Sequence, residues 1–250
     1  MKIGIISDIH EDVENLKSTI ALLSRKNCDE IFCLGDIVGF CLPFNKYISK
    51  RDANECIDIV KSNCSLSVIG NHDLYAIRKI PQHKFDFNYV ENWYSLDYES
   101  RQKLSRRKIW LYEDNELPIR LTQQNKSFLS ELNEFEIIEV QGDRILFSHF
   151  VFPDLTGSST HFPKNAKDLK EHFRFMTENK CVYSFTGHGH VEGLISSDEM
   201  KMKYYKFEKL PLKKERRWIV GPCVARTTRK NGVMILNTDS LEIESIPITN

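Results

Sequence analysis

The feature that most constrains this chain is a repeated opening unit: a short β-branched run, a polar loop, then apolar residues at helical spacing. Residues 2–7 (KIGIIS) form one such run, and behind them Val13, Leu16, Ile20 and Leu23 recur every three or four residues, which is one face of a helix. Glu11, Asp12 and Glu14 crowd the first turn of that helix, where its dipole favours carboxylates. Residues 30–34 (EIFCL) read as a second strand and 65–69 (SLSVI) as a third, with a helix over 52–62 between them turning Ala53, Cys56, Ile57 and Val60 inward. Strands alternating with helices pair most readily in parallel beneath the crossovers. The opening therefore predicts an α/β fold.

Beyond residue 74 the strand signal fades, and from about 74 to 134 the chain reads as a partly helical insert. Tyr89, Trp93 and Leu96 have helical spacing, and Phe128, Leu129 and Leu132 suggest a second helix beginning near Thr122. Strands return at 135–140 and 144–148 around a hairpin turn at Gln141-Gly142-Asp143. A helix over 165–178 turns Ala166, Leu169, Phe173 and Met176 inward, and six strand-like runs follow at 182–186, 194–196, 203–207, 218–220, 232–236 and 241–246. With 41% hydrophobic residues, 250 residues suffice for one core. The expectation is a single domain over 1–250 carrying the insert.

Charge and cysteine usage narrow the function. Thirty-five basic residues balance thirty-five acidic ones, so no overall field draws the chain to nucleic acid or an anionic membrane. No apolar stretch approaches the roughly 20 residues of a membrane span, and the first apolar run meets Asp8 too early for a signal peptide. The expected location is cytoplasmic, with no membrane partner. Seven cysteines, none spaced C-x-x-C, suggest neither a disulfide framework nor a thiolate zinc site. They read as small buried apolar groups, including Cys41, which follows one of the polar loops.

The chemistry lies just past the strand ends, the edge where α/β sheets bind ligands. There the sequence places Asp8 and His10, Gly35-Asp36, Gly70-Asn71-His72-Asp73, His149, and Gly187-His188-Gly189-His190. Carboxylate, carboxamide and imidazole without thiolate suit borderline-to-hard divalent ions. Seven candidate ligands exceed one tetrahedral ion and suit a pair, which can clamp both the attacking and leaving oxygens of a phosphoryl group. Gly35, Gly70, Gly187 and Gly189 allow sharp turns and close backbone approach.

The ordered set Asp-x-His, Gly-Asp, Gly-Asn-His-Asp, a lone His after a strand, and Gly-His-x-His resembles the calcineurin-like metallophosphoesterase superfamily, in particular its bacterial-type phosphodiesterase and phosphatase branch. The resemblance runs from residue 1 to about 250 and is weakest in the insert. It implies a four-layer α/β/β/α sandwich with the insert as a partly helical cap. It also implies that Asp8, His10 and His190 hold one metal, that Asp36 bridges, and that Asn71, His149 and His188 hold the other. His72 would be the catalytic general acid, and a metal-bridging hydroxide the nucleophile. Two divalent ions follow, manganese first, with iron, zinc or nickel as alternatives. The implied substrate is a phosphorylated small molecule, a nucleotide among the candidates. A nuclease, a protein phosphatase, or a metal-bound interaction module without catalysis remain the alternatives.

Some positions depart from the family wording. Glu11-Asp12 follows the first motif, placing two carboxylates near the cations, and Phe150 after His149 narrows the expected mouth. Near the C-terminus, Gly221-Pro222-Cys223 stands where a longer turn is usual. Arg226, Arg229 and Lys230 are the best cationic candidates for a substrate phosphate. Arg106-Arg107-Lys108 and residues 213–217 read as solvated faces. Asp73 is expected to cap a helix. His172 is expected solvated or at the core edge, and His83 and His161 in loops. Tyr89, Trp93, Tyr94, Tyr98, Trp110 and Tyr112 are expected mostly as packing within the cap.

Overall fold

In a computed structural model, residues 1–248 are described. The opening unit folds as read: β1 (Lys2–Ile6), α1 (Val13–Arg25), β2 (Glu30–Cys33), α2 (Ala53–Asn63), β3 (Leu66–Ser67) and α3 (Asn71–Ala76). Asp12 and Asp52 cap α1 and α2 by accepting from Asn15 N and Glu55 N. Next come α4 (Tyr98–Ser105), α5 (Gln123–Glu131), β4 (Phe135–Val140), β5 (Asp143–Ser148), α6 (Lys170–Glu178) and β6 (Cys181–Thr186). The remaining strands are β7 (Leu194–Ser197), β8 (Met202–Tyr205), β9 (Lys209–Pro211), β10 (Arg217–Val220), β11 (Gly232–Asn237) and β12 (Glu242–Pro247).

These strands form two six-stranded mixed sheets, ordered β3-β2-β1-β11-β12-β9 and β4-β5-β6-β10-β7-β8. Within them β1, β2 and β3 are parallel, as are β5, β6 and β10. Ile3, Ile5, Phe32, Phe147, Phe185 and Ile219 fill the space between the sheets, with Phe147 edge-on to Phe32 at 5.1 Å. Leu16, Leu23, Cys56, Ile57 and Val60 pack α1 and α2 on the outer face of the first sheet. Leu146, Leu169, Phe173, Met176 and Trp218 pack α6 on the second. The layers are thus α/β/β/α, the sandwich expected from the sequence. No helix of the described residues is long and apolar enough to cross a membrane, and all seven cysteines are free.

The expected hairpin turn is present, with Gln141 and Gly142 both at positive φ (53° and 84°) between paired Val140 and Asp143. Two expectations about the insert change. The Tyr89, Trp93, Leu96 spacing gives no α-helix, only a 3-10 turn over Trp93–Ser95. The rings there pack on each other instead, Phe87, Tyr89 and Trp93 lying edge-to-face at 4.8–5.3 Å. The second helix of the insert, α5, does not lie over the strand ends. Its Leu129 joins the core beneath α1 and α2, and Asn125 Nδ2 donates to Asn54 Oδ1 of α2 at 3.1 Å.

His172 is fully buried rather than at the core edge. Its Nδ1 accepts from Phe152 N at 3.0 Å, and its Nε2 meets Ser184 Oγ at 3.0 Å. Burial pushes its pKa down to about 3, whereas the unfolded chain binds that proton near the ordinary value of about 6.5. Between those values the unfolded state holds more protons, so stability falls as pH drops through that window. Urea midpoints at pH 7.5 and pH 5 should therefore diverge in the native protein and diverge less in His172→Gln, because His10 and His188 are buried neutral as well. An equal loss in both would assign the acid sensitivity to another group.

Candidate metal centre

The C-terminal ends of the parallel strands of both sheets meet at one place, and all seven candidate ligands lie there. Asp8 and His10 follow β1, Asp36 follows β2, Asn71 opens α3 after β3, His149 follows β5, and His188 and His190 follow β6. Cross-sheet bonds register the two edges: His149 Nδ1 donates to Leu34 O at 2.6 Å, and His188 N donates to Asp8 Oδ2 at 3.0 Å. Asp8, His10 and His190 form one compact set of donor atoms, and Asp36, His149 and His188 another. A third set, His10, Asp36 and His72, overlaps both.

Placing so many donors together forces the backbone. Asp8, His10, Asp36, His188 and His190 all have positive φ, between 44° and 62°, a region most side chains avoid and functional sites often occupy. Glycine is needed at Gly35, where φ is +90° and a Cβ would lie 2.5 Å from Gly70 N, and at Gly187, where it would lie 2.6 Å from Asp8 Oδ2. Gly189 has more room, its nearest neighbour being 3.3 Å from an added Cβ.

The donor set fits divalent ions. Three buried atoms, Asn71 Oδ1, His149 Nε2 and His188 Nε2, have no hydrogen-bond partner among the described residues, an uncommon state for buried polar groups. His149 Nε2 does lie 3.0 Å from Asp36 Oδ2, as an ion pair without hydrogen-bond alignment. His10 Nδ1 donates to Gly39 O at 2.8 Å, leaving Nε2 3.1 Å from His190 Nε2. His190 Nε2 is also 3.1 Å from Asp8 Oδ1. Carbonyl partners on His10 and His149 fix the ring orientations, as a hydrogen bond to the far ring nitrogen commonly orients a metal-binding histidine. Asn71 is fixed likewise: its Nδ2 donates to Tyr112 Oη at 2.8 Å, which points Oδ1 the other way.

Electrostatics agree. Burial alone would raise the pKa of Asp8 and Asp36, but the surrounding imidazoles overcome it and hold both carboxyls well below the usual range. Burial, with neighbouring histidines, pushes His10 and His188 down to about 3, leaving them neutral. Burial also opposes charge on His149 and His72, yet the carboxylates around them, Asp36 foremost, raise them to about 10 and about 9. A bound cation replaces such protons as the counter-charge.

His72 stands beside the two outer sets. Its backbone N donates to Asp36 Oδ1 at 2.9 Å, and its Nδ1 lies 2.6 Å from Glu116 Oε2. Glu116, nearly buried, was not apparent from the sequence, because it is 44 residues away and belongs to no motif. Asp73 caps α3 by accepting from Gly70 N at 3.1 Å and also holds the next loop through Ile37 N at 2.9 Å.

Three sequence expectations about nearby charge and bulk are corrected. Glu11 does not face the donor cluster; it accepts from Gly39 N and Phe40 N and pairs with Arg51 at 3.0 Å. Asp12 is held by Arg226, whose Nε lies 2.9 Å from Oδ2 and Nη2 2.6 Å from Oδ1, so Arg226 is a structural cation. Phe150 is buried and packs against the His188 ring at 4.5 Å; it is Phe162, half-exposed and stacked on that ring at 4.9 Å, that reaches the opening. Of the other two expected cations, Arg229 lines the opening with Nη1 on His190 O at 3.0 Å and Lys230 does not line it. His83 pairs with Glu134 at 2.7 Å and His161 stacks on Phe85 at 4.4 Å, and neither lines the cavity.

Residues 1–240 match the calcineurin-like phosphoesterase superfamily domain. The chain is 24% identical over 223 residues to the uncharacterized protein MJ0912 of Methanocaldococcus jannaschii, covering 88% of this chain and 74% of that one. Its fold is shared with a metallophosphoesterase from Sphaerobacter thermophilus, at 20% identity and a TM-score of 0.69, covering 100% of this chain and 88% of that one. It is shared also with hypothetical protein PH1004 from Pyrococcus horikoshii OT3, at 11% identity and a TM-score of 0.59, covering 99% and 87%. This chain belongs to the calcineurin-like phosphoesterase superfamily. It is a metal-dependent phosphoester hydrolase that uses divalent ions.

The pairing of Arg226 gives a test. Because Asp12 is fully buried, Arg226→Ala should cost about 1–3 kcal/mol of stability in chemical denaturation while leaving KM for p-nitrophenyl phosphate unchanged. Native stability with a raised KM would return Arg226 to the substrate.

Proposed function

We propose that this chain hydrolyses a phosphodiester, or a phosphomonoester, of a small molecule at a centre of two divalent ions. The observation that carries this reading is the position of Asp36: it completes the set with His149 and His188 and also lies within the set with His10. In this reading Asp8, His10 and His190 hold one ion, Asn71, His149 and His188 the other, and Asp36 bridges. Such a pair supplies water activation at neutral pH and neutralises charge building on the phosphoryl oxygens. Manganese is the first choice for this oxygen and imidazole set, with iron, zinc or nickel as alternatives.

The chain's own groups do the rest. His72, on the cavity wall, is placed to give a proton to the leaving oxygen. Glu116 at 2.6 Å holds its Nδ1 side, which leaves Nε2 for the substrate in this reading. Tyr112 Oη takes the Asn71 Nδ2 hydrogen bond, so the carboxamide oxygen keeps no protein partner and is left for an ion. Arg229, anchored on the His190 loop, is the one lysine or arginine on the cavity wall among the described residues. A single cation favours a substrate with one phosphate over a polyanion such as nucleic acid. We take residues 1–250 as one catalytic unit with 74–134 as its insert, and we place it in the cytoplasm, whose reducing conditions suit seven free cysteines.

Chelator-stripped protein with manganese, iron, zinc, nickel or magnesium restored tests the reading on bis-p-nitrophenyl phosphate and p-nitrophenyl phosphate. Asp36→Asn should retain fewer than two ions and lose hydrolysis by about a thousandfold or more. An active variant with both ions bound would remove the bridge. His72→Ala should keep its metal content and slow turnover by about 10²–10⁴, less for p-nitrophenolate than for alkoxide leaving groups. Loss of metal in that variant would make His72 a ligand.

A further inference from the structure

Among the described residues, four large aromatic side chains are exposed: Phe44 at 59%, Trp110 at 40%, Phe162 at 39% and Tyr204 at 55%. The first three line one cavity of about 500 Å³, the same cavity that reaches His10, Asp36, Asn71, His72, His188 and His190. Exposed apolar rings gathered in a concavity mark a ligand surface. Phe162 has one face covered by His188, but neither Phe44 nor Trp110 packs against another ring among the described residues. The segments carrying those two rings are tied together: Leu42 N donates to Asn115 O at 2.8 Å, and Cys41 bridges to Glu116. The rings are therefore held beside the site rather than on separate mobile loops.

The remaining wall narrows the ligand. Asn45, Asn115, Thr227 and Thr228 supply amide and hydroxyl groups around the rings, which suits a heteroaromatic edge better than a hydrocarbon chain. Among the described residues Arg229 is the only lysine or arginine there, enough for one phosphate. We propose that the substrate is a nucleoside phosphodiester whose planar base lies against Trp110 and Phe44 while its phosphate sits at the metal centre beside Arg229. This rests on the phosphodiesterase reading above and adds the residues that select the substrate.

Two measurements separate the proposal from that reading. Calorimetric titration of the manganese-loaded protein compares the carbon-linked, non-hydrolysable phosphonate analogue of adenosine 5′-monophosphate with the corresponding analogue of ribose 5-phosphate. The adenosine compound should bind about tenfold more tightly, an advantage lost in Trp110→Ala and reduced in Phe44→Ala. Equal affinities in the native protein overturn the proposal. Hydrolysis then compares the p-nitrophenyl ester of thymidine 5′-monophosphate with methyl p-nitrophenyl phosphate, which share a leaving group. The ratio of their kcat/KM values should favour the thymidine ester about tenfold and collapse in both variants. A ratio near one with both esters hydrolysed overturns the base-selective wall and leaves the phosphodiesterase reading intact. A base-dependent affinity with neither ester hydrolysed supports the wall and overturns that reading.

Discussion

Two buried carboxylates govern the arrangement. Asp8 and Asp36 are essentially inaccessible to solvent, and an ionised carboxylate so placed is costly unless charge and hydrogen bonds surround it. The structure provides both. His188 N and His72 N each donate to one of them, and imidazoles of His10, His149 and His190 stand close enough to keep both ionised. The left-handed backbone at five of the seven donor positions and the tight approach at Gly35 and Gly187 follow from bringing these groups together. Divalent cations are the counter-charge this assembly suits.

Around that centre lies a second set of charges with a different task. Glu11 and Asp12, adjacent to His10 in sequence, turn away from it to meet Arg51 and Arg226. They tie the loop after β1 to the ends of its neighbours: Glu11 accepts from the Gly39 and Phe40 amides, and Asp12 accepts from Arg226 N. Carboxylates within two residues of a candidate metal ligand thus fall into two classes. What separates them is which donors the folded loops bring near, not their distance along the chain.

The insert also divides by location. α5 belongs to the outer helical layer through Leu129 and the Asn54–Asn125 bonds. The strip from Trp110 to Glu116 reaches the centre instead, with Tyr112 on Asn71 and Glu116 on His72. One stretch that looks uniform in sequence therefore braces the scaffold near its end and lines the cavity from its middle.

The sequence by itself determined the α/β character, the strand ends and the identity of the seven candidate ligands with His72. These depend on local patterns: β-branched runs, helical spacing, and short polar motifs that follow strands at fixed offsets. It misjudged the helix near Trp93, where ring packing replaced helical hydrogen bonds, and the short strand β9, whose three residues give almost no pattern. Only the tertiary structure decided that Glu116 would meet His72, that Arg226 would neutralise Asp12, and that Phe44 and Trp110 would share a wall. Those partners are 44, 214 and 66 residues apart, and their meeting depends on how loops cross the sheet edges. No periodicity along the chain records that crossing.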